Sequence, residues 1–310
     1  MQLPALAAWA WIPIVIAAAA AQTARNAAQR SLTGELGTVS ATLVRFLYGL
    51  PFAALWLVLV LALLPSQFQL PAFGLTYFAW LSAGAIAQIL ATAFLLVAMK
   101  ERNFVTGVAL AKTEVLQAAI LAAVLLLEFP GGWSALAMLA ATFGVVLLSL
   151  PGKRPAAGLS IVSGGGKAAL AGLAAGACFA MASVGYRGAA LTLPDVSPWL
   201  VGASGVLLAQ ILQSVILTGW LGWHEPGKLS RLGRAWRRST AAGAMGALAS
   251  IGWFTAFAMR PVADIKTLGL IEVFFSFLVS RKLFDEHLSR LERGGLLLVL
   301  MGLAVICAQL

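Results

Sequence analysis

Residues 114–128 read EVLQAAILAAVLLLE, and residues 272–286 read EVFFSFLVSRKLFDE. In both, a Glu-Val pair opens a mostly apolar stretch, and a second glutamate follows fourteen residues after the first. The two stretches lie 158 residues apart, and the same shift brings Leu125 onto Leu283, Leu139 onto Leu297 and Gly144 onto Gly302. Leucine matches mean little in so apolar a chain. Matched glutamates mean more, because Asp and Glu together number 11 among 310 residues. With small adjustments, Ala98-Met99-Lys100 also matches Ala258-Met259-Arg260, and Arg25-Asn26-Ala27-Ala28 resembles Arg187-Gly188-Ala189-Ala190. The pattern predicts an internal duplication.

Around these stretches the whole chain is apolar. Hydrophobic residues make up 61% of it and charged residues 10%, against about 25% charged in an average soluble protein. That leaves too little polar surface to coat a soluble domain and too much hydrophobicity for disorder. A membrane-crossing helix needs about 20 apolar residues. Runs of that kind fall at 5–23, 38–64, 73–99, 103–127, 131–150, 168–191, 197–221, 239–259, 265–284 and 294–310. They are continuous rather than alternating, which predicts helices and not a barrel. The first run has no Lys or Arg before it and is longer than a signal-peptide core, so it reads as a first span. The expected fold is an all-α membrane protein of ten transmembrane helices. Residues 1–150 form the first five-helix repeat, 151–167 a linker and 168–310 the second repeat.

Five spans per copy is an odd number, so the second copy is expected upside down relative to the first. Inverted repeats place a binding site near the midplane, between halves that rock to give alternating access. Orientation follows from the Lys and Arg distribution. One face, with the connections after spans 1, 3, 5, 7 and 9, gathers sixteen of the 21 basic residues; the other holds Arg187, Arg260 and Lys266. The positive-inside rule then puts both termini outside the cytoplasm, and the net charge of +10 needs no nucleic acid to explain it.

Ionisable residues inside the membrane carry the functional signal, since each costs about 2.5–3.5 kcal/mol to insert. Glu114 and Glu272 fall near the middles of spans 4 and 9, at positions the repeat makes equivalent. Together they read as a substrate- or proton-binding pair. The competing reading is that each neutralises a structural cation: Lys112 for Glu114, and Lys266 or Arg45 for Glu272. Lys112 and Glu114, two apart on a helix, do not share a face. Lys112 and Arg45 are intramembrane cations suited to a cavity that takes a zwitterion, or equally to a structural role. Tyr186, Trp253 and Gln88 are candidate cavity-lining groups, or packing and interhelical hydrogen bonds. Arg25 and Arg187, at the ends of spans 1 and 6, are gate candidates or interfacial anchors. Glu128 and Glu286 read as turn-pinning groups, and Gly172 with Gly176 as a small-residue helix contact. Tryptophans near span ends, such as Trp133, Trp199, Trp220 and Trp223, form an interfacial belt.

Other motifs are bland. The segment 228–238 is basic with interleaved apolar residues, reading as an amphipathic helix on anionic lipid. Ser163-Gly164-Gly165-Gly166-Lys167-Ala168 lacks the Ser or Thr and the spacing glycine of a phosphate loop, so no ATP use is expected. Cys178 and Cys307 lie in apolar runs far from either histidine, which argues against a disulfide framework, a zinc site or any other metal.

These features resemble the drug/metabolite transporter superfamily, of the EamA type. The resemblance covers nearly the whole chain. It rests on Ala41-Thr42-Leu43-Val44-Arg45-Phe46-Leu47 opening span 2, and on Leu127-Glu128 and Asp285-Glu286 closing spans 4 and 9. It rests also on the stretch Ala98–Phe104 with Lys112-Thr113-Glu114. It implies that spans 1–4 and 6–9 surround a central cavity, with 5 and 10 peripheral. Members commonly keep both termini in the cytoplasm; the charges here say the reverse, and the charges are followed. The expected function is a secondary transporter of the bacterial inner membrane. It would export an amino acid or amine-like metabolite, coupled to protons, as a monomer or homodimer among membrane lipids, with no cofactor and no nucleic acid. A lipid or lipid-linked flippase is the alternative. An enzyme using Glu114 and Glu272 as acid and base lacks any accompanying nucleophile or metal set and is not expected.

Overall fold

The computed structural model describes residues 9–63, 71–100, 110–149, 165–275 and 290–309. Among them there is no strand. The helices are α1 (Trp11–Leu36), α2 (Thr38–Leu47), α3 (Leu50–Leu63), α4 (Leu75–Lys100), α5 (Glu114–Leu125) and α6 (Gly132–Ser149). Then follow α7 (Gly165–Leu191), α8 (Pro198–His224), α9 (Pro226–Arg234), α10 (Trp236–Met259), α11 (Val262–Gly269) and α12 (Arg290–Cys307). Alanine and leucine, strong helix formers, fill these elements, and only internally bonded backbone is viable in lipid. Five helical stretches have the length and apolarity to cross a membrane: Thr38–Leu63, Leu75–Met99, Gly166–Leu191, Pro198–His224 and Trp236–Met259. Large apolar side chains such as Leu55, Val58, Ile120, Val124, Phe143 and Val215 stand exposed on the helix surfaces, where lipid is their natural solvent. The protein is membrane-embedded.

Chain punctuation follows local chemistry. Gly37, at φ +83°, separates α1 from α2, a backbone conformation favourable to glycine. The break between α2 and α3 falls at Tyr48–Gly49, just ahead of Pro51, which cannot donate to the preceding turn. Pro198 opens α8 at its first turn, where a missing N–H costs nothing.

Two boundaries differ from the sequence reading. The first span does not stop at residue 23; α1 runs on to Leu36 and absorbs the expected connection 24–37. Its polar second half needs no apolar run because it packs against protein: Gln29 Nε2 donates to the Ala41 carbonyl at 2.8 Å and is buried. The connection 222–238 is likewise helical, with α9 at its centre. The expected residues Asp285, Glu286 and His287, the stretch 101–109 and the linker up to residue 164 lie outside the described residues.

The chain forms two compact units. One comprises residues 1–89 and 181–260, the other residues 90–180 and 261–310. Each therefore draws on both halves of the sequence, and α4 and α7 each contribute to both units. In the first unit α10 packs on α1, α2 and α8, with Gly252 set against the Ile14 carbonyl and Ala18. In the second, α6 and α12 make a close helix pair. A Cβ on Gly144 would lie 2.5 Å from the Gly295 carbonyl oxygen, and one on Gly302 would lie 2.7 Å from that of Ala137.

Candidate functional site

The second unit holds Glu114 and Glu272, each beside a helix break. Lys112 and Thr113 form a turn ahead of α5, and Glu114 is that helix's first residue. Thr113 Oγ1 donates to the Leu110 carbonyl at 2.6 Å, a local side-chain bond of the kind that competes with helix continuation. On the other side, α11 ends at Gly269, Leu270 turns, and Glu272 lies in the helical residues 271–275 that follow. Both turns are closed by tight three-residue bonds, Thr113 N–H to Leu110 and Leu270 N–H to Thr267.

Across these breaks the charges pair crosswise. Lys112 Nζ lies 2.6 Å from Glu272 Oε2, and Lys266 Nζ lies 3.5 Å from Glu114 Oε1. All four side chains are largely buried, at 16, 5, 10 and 11% exposure. The competing reading set Lys112 on Glu114, and Lys266 or Arg45 on Glu272; the ion pairs described here are Lys112 with Glu272 and Lys266 with Glu114, and Lys266, read as a cation near a span end, sits inside α11. Its signal was a lysine one helical turn ahead of the position that the 158-residue shift makes equivalent to Lys112.

The first unit holds the arginines and the polar ring groups. Arg25 is not at a helix end: it lies inside α1, 1% exposed, with Nη2 2.6 Å from Asn26 Oδ1. Arg45, on α2, is 2% exposed. The stems of both run over Gly246 of α10, where a Cβ would stand 3.2 Å from Arg45 Cγ and 3.4 Å from Arg25 Cδ. Arg45 is within electrostatic reach of Arg25 and of Tyr186.

Around Tyr186 is a ring of hydrogen bonds. Its hydroxyl donates to Gln88 Oε1 at 2.9 Å, and Gln213 Nε2 donates to the same oxygen at 2.8 Å and to the Ala85 carbonyl at 3.1 Å. Gly84 lets α4 approach the Tyr186 ring, which also packs on Phe254 at 4.0 Å between centroids. Gln210, one turn before Gln213 on α8, is 1% exposed beside Gly49, and neither of its amide atoms meets a protein partner among the described residues. Gln210 and Gln213 were missed from sequence. Two amides and Ser214 spaced along an otherwise apolar span were the signal.

The remaining candidates have fastening geometry. Trp253 Nε1 donates to Gln22 Oε1 at 3.1 Å. Arg187 Nη1 donates to the Phe257 carbonyl at 2.7 Å, in the last turn of α10, where a cation complements the helix dipole. Glu128 follows Leu127, which has φ +58°, and its N–H returns to the Ala122 carbonyl. Gly176 admits α7 to within contact of the Ala111 carbonyl. The α9 segment is tied down by Tyr48 Oη, donating to the Leu232 carbonyl at 3.0 Å, by the Glu225–Lys228 ion pair and by Arg238 on Glu35 at 2.7 Å.

No family model and no curated protein matches the chain. Solved structures do: one crystal structure, 20% identical, matches over 96% of this chain and 95% of its own, with a TM-score of 0.68. At that identity the likeness is one of fold.

Proposed function

We propose that the chain is a secondary transporter of the drug/metabolite superfamily, EamA-like, moving a small polar metabolite across the bacterial inner membrane by alternating access. The observation that carries this reading is the pair of broken helices whose charges cross. Discontinuous helices with buried ionisable groups are the recurrent site architecture of secondary transporters, and intramembrane charge is retained where function needs it.

The ten-helix inverted repeat belongs to the same proposal, and reciprocity supports it. Under the 158-residue shift, Gly144 maps to Gly302 and Ala137 to Gly295. The contact Gly144–Gly295 is therefore the counterpart of Gly302–Ala137. Lys112–Glu272 and Lys266–Glu114 answer one another in the same sense, displaced by one turn at the lysines. Such i-to-j and j-to-i contacts are what a two-fold axis produces.

Proton coupling would act through these pairs: protonating a carboxylate releases its lysine and frees the break to rearrange. The test is solute counterflow in proteoliposomes across a pH series, with wild type beside Glu272→Gln, which keeps a carbonyl oxygen for Lys112. The expected outcome is transport that no longer varies with pH. An unchanged pH profile in the variant would remove the coupling role.

One observation speaks for the flippase alternative: an open groove of about 260 Å³, lined by Leu47, Tyr48, Pro51, Phe52 and Thr240, on the unit that carries basic α9. Scrambling of a fluorescent lipid by proteoliposomes, in the absence of any solute flux, would favour it.

A further inference from the structure

We infer that the first unit holds one resident anionic phospholipid, with an acyl chain seated in the groove beside the α2–α3 break and its phosphate headgroup at Arg237. The groove measures about 260 Å³, with Leu47, Tyr48, Pro51 and Phe52 on one wall and Thr240 of α10 on the other. Its lining side chains are apolar apart from the Tyr48 and Thr240 hydroxyls, and Tyr48 Oη is committed to the Leu232 carbonyl of α9. Gly243 lets α10 close directly on Tyr48, where a Cβ would stand 2.5 Å from the Tyr48 carbonyl carbon. The two walls therefore meet at packed backbone, and the groove is a fixed shape.

Tryptophans give its depth. Trp236 opens α10 and is 56% exposed, and Trp220 and Trp223 stand exposed near the end of α8. Tryptophan at span ends marks the headgroup level of a bilayer. Trp236 and Thr240, four residues apart, share a face of α10 and lie about 6 Å apart along its axis. The groove thus begins where headgroups give way to acyl chains.

Charge complementarity selects the headgroup. Residues 225–238 carry Lys228, Arg231, Arg234, Arg237 and Arg238 against the single acid Glu225. Lys228 is held by Glu225, and Arg238 by Glu35. Arg237 is exposed, has no carboxylate partner among the described residues, and lies over Trp236 with Cζ 5.5 Å from the ring centroid. A guanidinium stacked on an indole is oriented without being neutralised, and its fork suits phosphate oxygens. It stands one helical turn from the groove, on the side that the Lys and Arg distribution predicts to be cytoplasmic, where the leaflet is anionic.

The inference stands apart from the identity of the transported solute, and its readout is binding. The full chain, purified in detergent, is titrated with dioleoyl phosphatidylglycerol, dioleoyl phosphatidylcholine and the chainless headgroup glycerophosphoglycerol, and bound lipid is counted by native mass spectrometry. One phosphatidylglycerol per chain is expected, with phosphatidylcholine at least about fivefold weaker, the worth of one cation at an anionic surface, and no binding of the chainless headgroup. Arg237→Gln should remove that preference and leave phosphatidylcholine binding unchanged. Thr240→Phe, which fills the groove, should weaken both lipids. Arg293→Gln, at an exposed position of the other unit, should change neither.

Equal affinity of wild type for the two lipids overturns the site, as does binding of glycerophosphoglycerol as tight as that of the whole lipid. Equal losses in Arg237→Gln and Arg293→Gln would reduce the effect to general surface charge and overturn it too. Should Thr240→Phe not fold, an unaltered lipid preference in the surface variant Arg237→Gln is sufficient to do so.

Discussion

Leu127 closes α5 in a left-handed conformation, φ +58°, with no glycine to make it easy. Left-handed backbone costs an ordinary residue about 1–2 kcal/mol, and this side chain is 77% exposed, so little packing offsets it. Leu127→Gly is therefore expected to stabilise the protein by about 1 kcal/mol, read as a higher melting temperature in detergent. A lower one would mean that the leucine's contact with its surroundings outweighs the strain. Single residues were also where the sequence reading stopped short. Arg25 stood beyond the last apolar residue of its run and so looked like a helix-end anchor, whereas α1 continues because its polar face meets α2 and α10 instead of lipid. Hydropathy registers contact with lipid; it is silent about polar helix surface covered by protein.

At the level of elements, the breaks beside Glu114 and Glu272 dominate. Their existence was half legible: the equivalent glutamates could be found by sliding the chain, and helix geometry made a bridge between Lys112 and its neighbour Glu114 a poor one. The crossed pairing could not be read, because it depends on how α5 and α11 lie against one another. Its energetics are open to a double-mutant cycle. Breaking a buried pair by removing one member costs about 3–5 kcal/mol, while replacing both with apolar groups is often neutral. Glu272→Leu alone should therefore destabilise by about that amount, and Lys112→Met with Glu272→Leu should recover most of it. Additive losses in chemical denaturation would show that the 2.6 Å contact contributes nothing of its own.

For the molecule as a whole, membrane embedding was legible from composition alone. The grouping into compact units was not. A repeat in sequence records how a gene was duplicated, whereas compactness records which helices bury one another, and here the units take Met1–Ile89 with Met181–Arg260 and Leu90–Ala180 with Pro261–Leu310. Orientation also belongs to this scale. By the positive-inside rule, the excess of Lys and Arg on one set of connections predicts that the last helix's far end lies outside the cytoplasm, and the expected outcome is that alkaline phosphatase fused after Leu310 is active. A dead fusion paired with an active cytoplasmic reporter at the same point would reverse the topology and leave the crossed ion pairs untouched.

The interleaving of the units bears on how the protein is made. A ribosome that has just delivered Ala180 has supplied the first unit only as far as Ile89, and the second lacks everything from Pro261 onward. At about 5–20 residues per second, the remainder of the first unit takes about 4–16 s more to emerge. Through that interval Arg25 and Arg45 have been made, but α10, whose Gly246 their stems cross, has not. The nascent chain must meanwhile shelter two charges in the insertion machinery or in water-lined gaps between early helices.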